Sequence, residues 1–178
     1  MGKYIMILLI AVLCSSFTSP LSDKERAYNQ YIQLYSHLAQ AESRAYGIPA
    51  SVILAQGLLE TNAGNSILAR RAHNHFGIKC KQTWEGPTYY YIDDDRNSAG
   101  ELVPSCFRNY TSVEESYRDH SLFLKYRDRY AVLFTYDRDD YAAWCRGLKT
   151  CGYATNDKYG EALISCIERY NLHTFDRP

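Results

Sequence analysis

The chain has 178 residues, of which 46% are hydrophobic and 22% charged, and its formal net charge is zero. This length is sufficient for one compact domain with its own core, and the balanced charge argues against nucleic acid or another polyanion as the partner. The composition is unusual in its seventeen tyrosines. Tyrosines suit a groove that stacks on sugar rings, but they also suit an ordinary core with a solvent-exposed edge. The number of tyrosines alone favours the ordinary core.

The first 19 residues have the pattern of a secretory signal peptide. Lys3 precedes an apolar run over residues 4–14 that is too short to span a bilayer comfortably, and small residues follow it. Cys14 closes the run as a candidate lipid-attachment site, although the leucine before it is larger than such sites prefer. We therefore expect residues 20–178 to form an exported domain, periplasmic or associated with the cell envelope, with no membrane contact beyond an anchor at Cys14.

Two long helices and a short one are predicted after the signal peptide. The first begins at a capping box formed by Ser22 and Glu25 and ends at Gly47, with apolar residues at the helical period between them. Residues 48–61 are nearly apolar on all sides, which predicts a buried helix. A short helix over residues 65–72 comes next.

The middle of the chain has the composition of an antiparallel hairpin. Residues 88–92 and 105–110 are rich in tyrosine and other β-favouring residues, and the polar residues 93–104 between them predict the turn region. Cys80 and Cys106 flank this hairpin, and export makes a disulfide between them the expected pairing.

Helices are predicted again over residues 112–126, 139–152 and 156–172. The first of these begins with a second capping box, formed by Ser112 and Glu115. Together these elements predict an α+β fold that is mainly α, with a small β-hairpin lobe over a substrate cleft.

The remaining cysteines and the histidines do not predict a metal site. At least one thiol stays unpaired among the other three cysteines of the mature chain, Cys145, Cys151 and Cys166. His73, His75 and Cys80 lie close together in sequence, but their spacing is not that of a zinc site. We predict neither a metal nor another cofactor.

Glu60 is the candidate catalytic residue that the helix pattern singles out. It lies on the last turn of the buried second helix, at the negative end of the helix dipole and among apolar neighbours. Both influences favour the neutral acid and raise its pKa. A carboxylic acid that stays protonated near neutral pH is suited to protonating the leaving oxygen in glycoside cleavage. Taken alone, however, a solvated glutamate at a helix end explains the same position.

Four short segments carry a family resemblance. They are "AQGLLETNAGNS" (55–66), "NHFGIK" (74–79), "FRNYTSVEESYRDH" (107–120) and "GYATNDKY" (152–159). In this order they resemble the glycoside hydrolase family 73 glucosaminidases, which include autolysins and the peptidoglycan-cleaving domain of flagellar-rod assembly proteins. The resemblance extends over about residues 24–172.

The resemblance implies a lysozyme-like fold, a monomer, and hydrolysis of the β-1,4 bond after N-acetylglucosamine in the glycan strands of peptidoglycan. Glu60 falls on the family's catalytic glutamate, the general acid. Tyr153 falls on an aromatic residue that lines the sugar groove, and Asn74 and Phe76 fall on residues that shape the cleft floor and bind substrate. For Phe76, simple core packing is an equal alternative.

The second carboxylate is where the sequence departs from the family pattern. Many members carry a T-x-E segment on the hairpin, whereas this chain has three consecutive aspartates there. Asp94 is the favoured counterpart, Asp93 the next and Asp95 the last. A solvated acidic turn and a substrate-assisted route, in which the sugar's own N-acetyl group attacks, stay open.

Three competing functions are consistent with the same residues. A lytic transglycosylase would use this fold and Glu60 without a second carboxylate. A non-catalytic cell-wall binding module would use the tyrosines to stack on glycan. A cysteine peptidase would need Cys80 as nucleophile with His73 or His75 as base.

Overall fold

The computed structural model describes residues 21–81 and 84–177 of the chain. Its elements in chain order are α1 (Asp23–Tyr46), α2 (Ala50–Thr61), α3 (Ile67–Ala72), β1 (Thr88–Arg96), β2 (Leu102–Arg108), α4 (Val113–Lys125), a 3₁₀ helix (Asp128–Thr135), α5 (Tyr141–Thr150), α6 (Tyr159–Arg169) and a second 3₁₀ helix (Leu172–Phe175). The predicted signal peptide and Cys14 lie outside the described residues. Within them, no helix is long and apolar enough to cross a membrane.

The first helix is delimited as its sequence predicts. The Ser22 side chain accepts a hydrogen bond from the Glu25 backbone, and the Glu25 side chain accepts one from the Ser22 backbone, which completes the capping box. At the other end Gly47 has a φ of 79°, and its N–H donates to the Ser43 carbonyl. A left-handed residue at this position favours glycine because glycine has no Cβ to clash.

The second helix is the centre of the hydrophobic core. Ten of its twelve residues are buried, which confirms the prediction from its apolar composition. It packs against α1, α5, α6 and the C-terminal 3₁₀ helix. At its start the Ser51 N–H donates to a carboxylate oxygen of Asp176 at 2.8 Å, so the C-terminal segment satisfies a backbone group that the helix itself leaves free. A core built around one helix holds that helix rigidly.

The hairpin differs from its prediction in where the strands end. Strand β1 continues through the aspartates to Arg96, so Asp93–Asp95 are strand residues and not part of the turn. The pairing register is regular from Thr88 to Ile92 and resumes at Arg96 opposite Leu102. The three aspartates occupy the irregular stretch between these points. A bulge of this kind bends the strand and changes the direction of its side chains.

The predicted disulfide between Cys80 and Cys106 is present, with 5.3 Å between the two Cα atoms. It joins the loop after α3 to β2, next to a β-bridge between Lys79 and Phe107. The other three cysteines among the described residues, Cys145, Cys151 and Cys166, are all free. Since Cys80 is bonded, it cannot serve as a nucleophile, and the cysteine-peptidase alternative is wrong.

The later helices form where they are predicted, with two differences. Ser112 caps α4 through the Glu115 backbone, but the Glu115 side chain accepts from Thr111 and not from Ser112, so the second capping box is incomplete. The 3₁₀ helix Asp128–Thr135 was not predicted; its buried residues Tyr130 and Leu133 anchor it to the core.

Candidate active site

A tight turn places Glu60 at the edge of the core. The Thr61 hydroxyl donates to the Gly57 carbonyl at 2.6 Å and accepts from the Gly64 N–H at 2.7 Å. Asn62, Ala63 and Gly64 all have positive φ, so the chain turns away directly after the helix. Glu60 therefore lies on the last turn of α2, with its side chain exposed although most of the helix is buried. This is the position that the sequence predicts.

Glu60 opens into a cleft of about 510 Å³. The cleft lies between the end of α2, the hairpin, the end of α4 and the loop that follows α5. Its charged lining residues are Glu60, Asp93, Asp94, Lys79, Lys81, Arg127 and Arg129. Its aromatic lining residues are Phe76, Phe107, Phe123, Tyr130 and Tyr153. Aromatic walls with a few convergent polar groups are typical of a ligand-binding site.

The environment of Glu60 is that of a general acid. Its side chain is exposed towards the cleft, while the surrounding protein removes much of its hydration. This burial raises the pKa of Glu60 above the ordinary value for a glutamate, and a hydrogen bond from Tyr159 partly opposes that rise. The Tyr159 hydroxyl donates to Glu60 Oε1 at 2.8 Å. Desolvation is the larger influence, so the acid holds its proton to higher pH than a glutamate in water.

Tyr159 belongs to the site but was not predicted to. It is buried, and its hydroxyl accepts a hydrogen bond from Gln56 Nε2 at 3.1 Å while it donates to Glu60. The resulting chain from Gln56 through Tyr159 fixes the orientation of the Glu60 carboxyl. A signal was present in the sequence, because Gln56 and Tyr159 both belong to the segments that carry the family resemblance.

Tyr153 and Phe76 line the cleft as predicted. Tyr153 stacks on Tyr159, with 5.7 Å between ring centroids and 15° between planes. Phe76 is largely buried and stacks on His120 at 3.9 Å. Phe76 is therefore both a core residue and part of the cleft wall, and only a small part of its surface is exposed.

Asn74 is not among the residues that line the cleft, and its contact with substrate stays a prediction. The side chain is buried, and its amide donates to the carbonyls of Ile78 and Arg108 at 3.0 and 2.9 Å. Its oxygen accepts from the Ile78 N–H at 3.0 Å. Asn74 thus holds the loop that carries Phe76 against strand β2. It affects the shape of the cleft indirectly, by holding a loop that lines it.

The hairpin aspartates surround one lysine. Lys79 Nζ lies 2.7 Å from an oxygen of Asp95, 3.3 Å from Asp93 and 3.9 Å from Asp94. Asp95 also accepts a hydrogen bond from Ser105 and does not line the cleft. Asp93 and Asp94 both line it, and Asp94 has the most exposed side chain of the three. The structure thus brings two candidate second carboxylates to the cleft that contains Glu60.

A buried helix that presents one partly desolvated glutamate to a cleft beneath a β-hairpin defines the lysozyme-like class of glycoside hydrolases. The sequence profile of the glucosaminidase family, described as mannosyl-glycoprotein endo-β-N-acetylglucosaminidase, matches residues 36–172. The chain belongs to this family, which confirms the resemblance found in the four segments.

Similar proteins from two bacteria support the same family assignment. The chain is 31% identical over 159 residues to the peptidoglycan hydrolase FlgJ of Salmonella typhimurium, which covers 86% of this chain and 49% of that protein. It is 28% identical to the exo-glucosaminidase LytG of Bacillus subtilis, over 95% of this chain and 62% of LytG. The chain thus spans about half to two thirds of the length of these relatives.

Solved structures confirm the fold. The catalytic domain of the autolysin Auto from Listeria monocytogenes has a TM-score of 0.72 at 26% identity, over 90% of this chain and 92% of that domain. The glycoside hydrolase domain of Salmonella typhimurium FlgJ has a TM-score of 0.66 at 27% identity, over 83% and 90%. The predicted fold class, mainly α with a small hairpin, is therefore confirmed.

Proposed function

We propose that this chain is a peptidoglycan hydrolase that cleaves the β-1,4 bond between N-acetylglucosamine and N-acetylmuramic acid. The observation that carries the proposal is Glu60, a glutamate with a raised pKa at the floor of an aromatic cleft. Membership of the glucosaminidase family and the similarity to the peptidoglycan hydrolase FlgJ and the exo-glucosaminidase LytG support the proposal.

Glu60 acts as general acid. Its carboxyl donates a proton to the glycosidic oxygen as the bond to the anomeric carbon breaks, and the alcohol of the next sugar leaves. The carboxylate that remains accepts the hydrogen bond from Tyr159, which stabilises the ionised form. Tyr153 and the exposed part of Phe76 supply apolar surface for the sugar rings on either side of the bond that is cleaved.

Asp94 supplies the second carboxylate, with Asp93 next in order. One of these two must stabilise the oxocarbenium-like centre or activate the water that completes hydrolysis. Lys79 Nζ lies 3.3 Å from Asp93 and 3.9 Å from Asp94, so it holds both side chains beside the cleft. Asp95 is engaged by Lys79 and Ser105 and serves to hold the strand.

A lytic transglycosylase is the alternative that one observation favours, since the aspartates are occupied by Lys79 and that reaction needs only Glu60. The two reactions are separated by mass spectrometry of purified peptidoglycan after digestion by the mature chain. Hydrolysis leaves a reducing N-acetylglucosamine end, whereas transglycosylation leaves an anhydro-muramic end. Anhydro-muramic products would replace the proposed reaction with the alternative.

Substitution of Glu60 is the direct test of catalysis. Glu60→Gln retains the shape of the side chain but cannot release a proton, so it should lower turnover on the order of a hundredfold or more. Binding to insoluble peptidoglycan should be retained. Near-normal hydrolysis by a folded Glu60→Gln protein would contradict the role of Glu60, and wall binding without any hydrolysis by the wild type would indicate a non-catalytic module.

We also propose that residues 1–19 are a cleaved export signal and that the domain acts in the periplasm or cell envelope. The disulfide between Cys80 and Cys106 supports this because such bonds persist in oxidising compartments. N-terminal sequencing of the protein recovered from the envelope tests it: a mature chain that begins near residue 20 is expected. A chain modified with lipid at Cys14 would place the cleavage earlier.

A further inference from the structure

Arg127 occupies the junction between the catalytic cleft and a second groove. It lines the cleft that contains Glu60 and also a neighbouring groove of about 260 Å³ along α4. Phe123 is shared by both cavities in the same way, and Tyr126, which is 74% exposed, lines the groove beyond. A substituent that branches from a glycan in the cleft would pass Arg127 on entering this groove.

The guanidinium of Arg127 is pre-positioned and has no anionic partner among the described residues. It lies over the Phe123 ring, with 3.9 Å between its central carbon and the ring centroid. By contrast, Lys79 is surrounded by aspartates, and Arg129 donates to the backbone carbonyls of Cys151 and Gly152. Stacking restrains the side chain and leaves its N–H donors, which lie in the guanidinium plane, free for a ligand.

The one acidic residue that lines the groove does not compete for Arg127. Asp119 accepts two hydrogen bonds from Arg108 Nη1, at 2.7 and 2.8 Å, and a third from the Tyr110 hydroxyl. Its charge is therefore already compensated. The groove beside the cleft presents Arg127 as its uncompensated charge, so an anion is the ligand that it would recognise.

We propose that Arg127 binds a carboxylate carried by the muramic acid of the substrate, either on the peptide stem or on the lactyl group where the stem is absent. This inference rests on the proposed function. The sugar rings are neutral, and the carboxylates of peptidoglycan are on the lactyl-linked branch of every second sugar. A planar guanidinium can bind a carboxylate through two parallel hydrogen bonds, and its stacking on Phe123 reduces the entropy lost on binding.

The test compares one protein change with one substrate change. The proteins are wild type and Arg127→Gln, and the substrates are purified peptidoglycan with free carboxyl groups and the same material with its carboxyl groups converted to amides. Amidation should lower kcat/KM of the wild type on the order of tenfold, the range of a charge-assisted hydrogen bond. Arg127→Gln should show a similar loss on the free substrate and no further loss on amidation.

Matched variants separate recognition from structural damage. Arg44→Gln removes an exposed arginine that does not line the cleft or the groove, and it should behave as wild type on both substrates. Two results would overturn the proposal. In one, Arg127→Gln lowers kcat/KM relative to wild type by the same factor on free and on amidated peptidoglycan. In the other, it does not lower kcat/KM on either substrate. Strands stripped of stems by an amidase identify the source, because the lactyl carboxyl is an amide wherever a stem is attached. An effect of Arg127 confined to intact stems assigns a stem carboxylate, one confined to stripped strands assigns the lactyl carboxylate, and an effect on both shows that Arg127 binds either carboxylate.

A binding measurement keeps the outcome separate from that of the proposed function. If the wild type cleaves neither substrate, the proposed hydrolase activity is wrong. Sedimentation of Glu60→Gln, with and without Arg127→Gln, on free and amidated peptidoglycan then decides the inference. Weaker binding of the double variant to the free material alone supports a carboxylate subsite, and equal binding of the two proteins rejects it.

Discussion

At the scale of single residues, burial and a hydrogen bond shift the pKa of Glu60, the proposed general acid, in opposite directions. Burial raises the pKa of Glu60, and the hydroxyl of Tyr159 lowers it by donating a hydrogen bond to the ionised form. The balance matters because a general acid must be protonated at the working pH and still be able to release its proton.

Tyr159→Phe should move the alkaline limb of the pH–kcat/KM profile to higher pH. Removal of the hydroxyl withdraws a donor that stabilises the carboxylate, so the pKa of Glu60 rises and the acid stays protonated further into the alkaline range. Initial rates measured across a pH series report the limb. Tyr153→Phe is the matched control, since no hydrogen bond joins Tyr153 to Glu60 among the described contacts, and its limb should not move. A limb unchanged in Tyr159→Phe would contradict the assignment.

Asp94→Asn should lower turnover much more than glycan binding, with Asp93→Asn the next most affected. The reason is that a carboxylate is needed after the leaving group departs, whereas the uncharged amide still fills the same space. Rates and sedimentation binding are measured on the same substrate. Retention of activity when Asp93, Asp94 and Asp95 are all changed to Asn would remove the carboxylate role, and the substrate's N-acetyl group would then be the better candidate.

At the scale of elements, the hairpin is attached to the helical body by a small number of connections. The disulfide, the Lys79–Phe107 bridge and the buried Asn74 amide all join the loop after α3 to strand β2. A two-stranded sheet is marginal in isolation, so its position over the cleft depends on these connections.

Loss of the disulfide should destabilise the protein without changing its helical fold. The double change Cys80→Ser and Cys106→Ser opens a loop with a sequence separation of 26, and the chain-entropy model gives a loss of up to about 3–4 kcal/mol. Urea denaturation of the purified mature domain measures it. Cys151→Ser, which changes a free and partly exposed thiol, should leave the midpoint unchanged. Equal midpoints for the double variant and wild type would show that the bond contributes nothing.

At the scale of the whole molecule, the core contains two histidines that are buried in the neutral form. Burial lowers the pKa of His75 to about 4 and that of His120 to about 3. A hydrogen bond joins His75 Nδ1 and the Tyr31 hydroxyl, with 2.7 Å between the two atoms. His120 stacks on Phe76 in the wall of the cleft, so the stability of the core and the shape of the cleft are linked.

These histidines should make the fold less stable as the pH falls. Between the ordinary histidine pKa of about 6.5 and their lowered native values, the unfolded chain binds more protons than the native state, so acid favours unfolding. Each histidine contributes a slope of up to ~1.4 kcal/mol per pH unit in this window. The raised pKa values of Glu60 and Asp176 act in the opposite direction. Urea midpoints of wild type and His120→Phe, measured at pH 7 and pH 5, isolate the contribution of His120. The same change in midpoint with pH in both proteins would contradict that contribution.

The local sequence determined most of the secondary structure and singled out Glu60 as the proposed catalytic acid. Helix periodicity, the capping box of Ser22 and Glu25, and the glycine at position 47 act over a few residues, so they can be interpreted without the fold. The prediction of Glu60 also depended on a local property, since an acid at the last turn of an apolar helix is at the edge of a core. The motif order then identified the family. Where the hairpin strands end was predicted less well, because the extent of a strand depends on its partner as well as on its own residues.

Only the tertiary structure decided how the cleft residues are used. Tyr159 is 99 residues from Glu60 and Asn74 is 34 from Arg108, so neither hydrogen bond has a local signature. The same asparagine in the sequence is compatible with binding a sugar or holding a loop, and only its buried partners show that it holds the loop. For Arg127, what mattered was a charge left uncompensated while Lys79, Arg108 and Arg129 had found partners. That is a property of the whole arrangement, because Coulomb and hydrogen-bond partners are chosen in space and not along the chain.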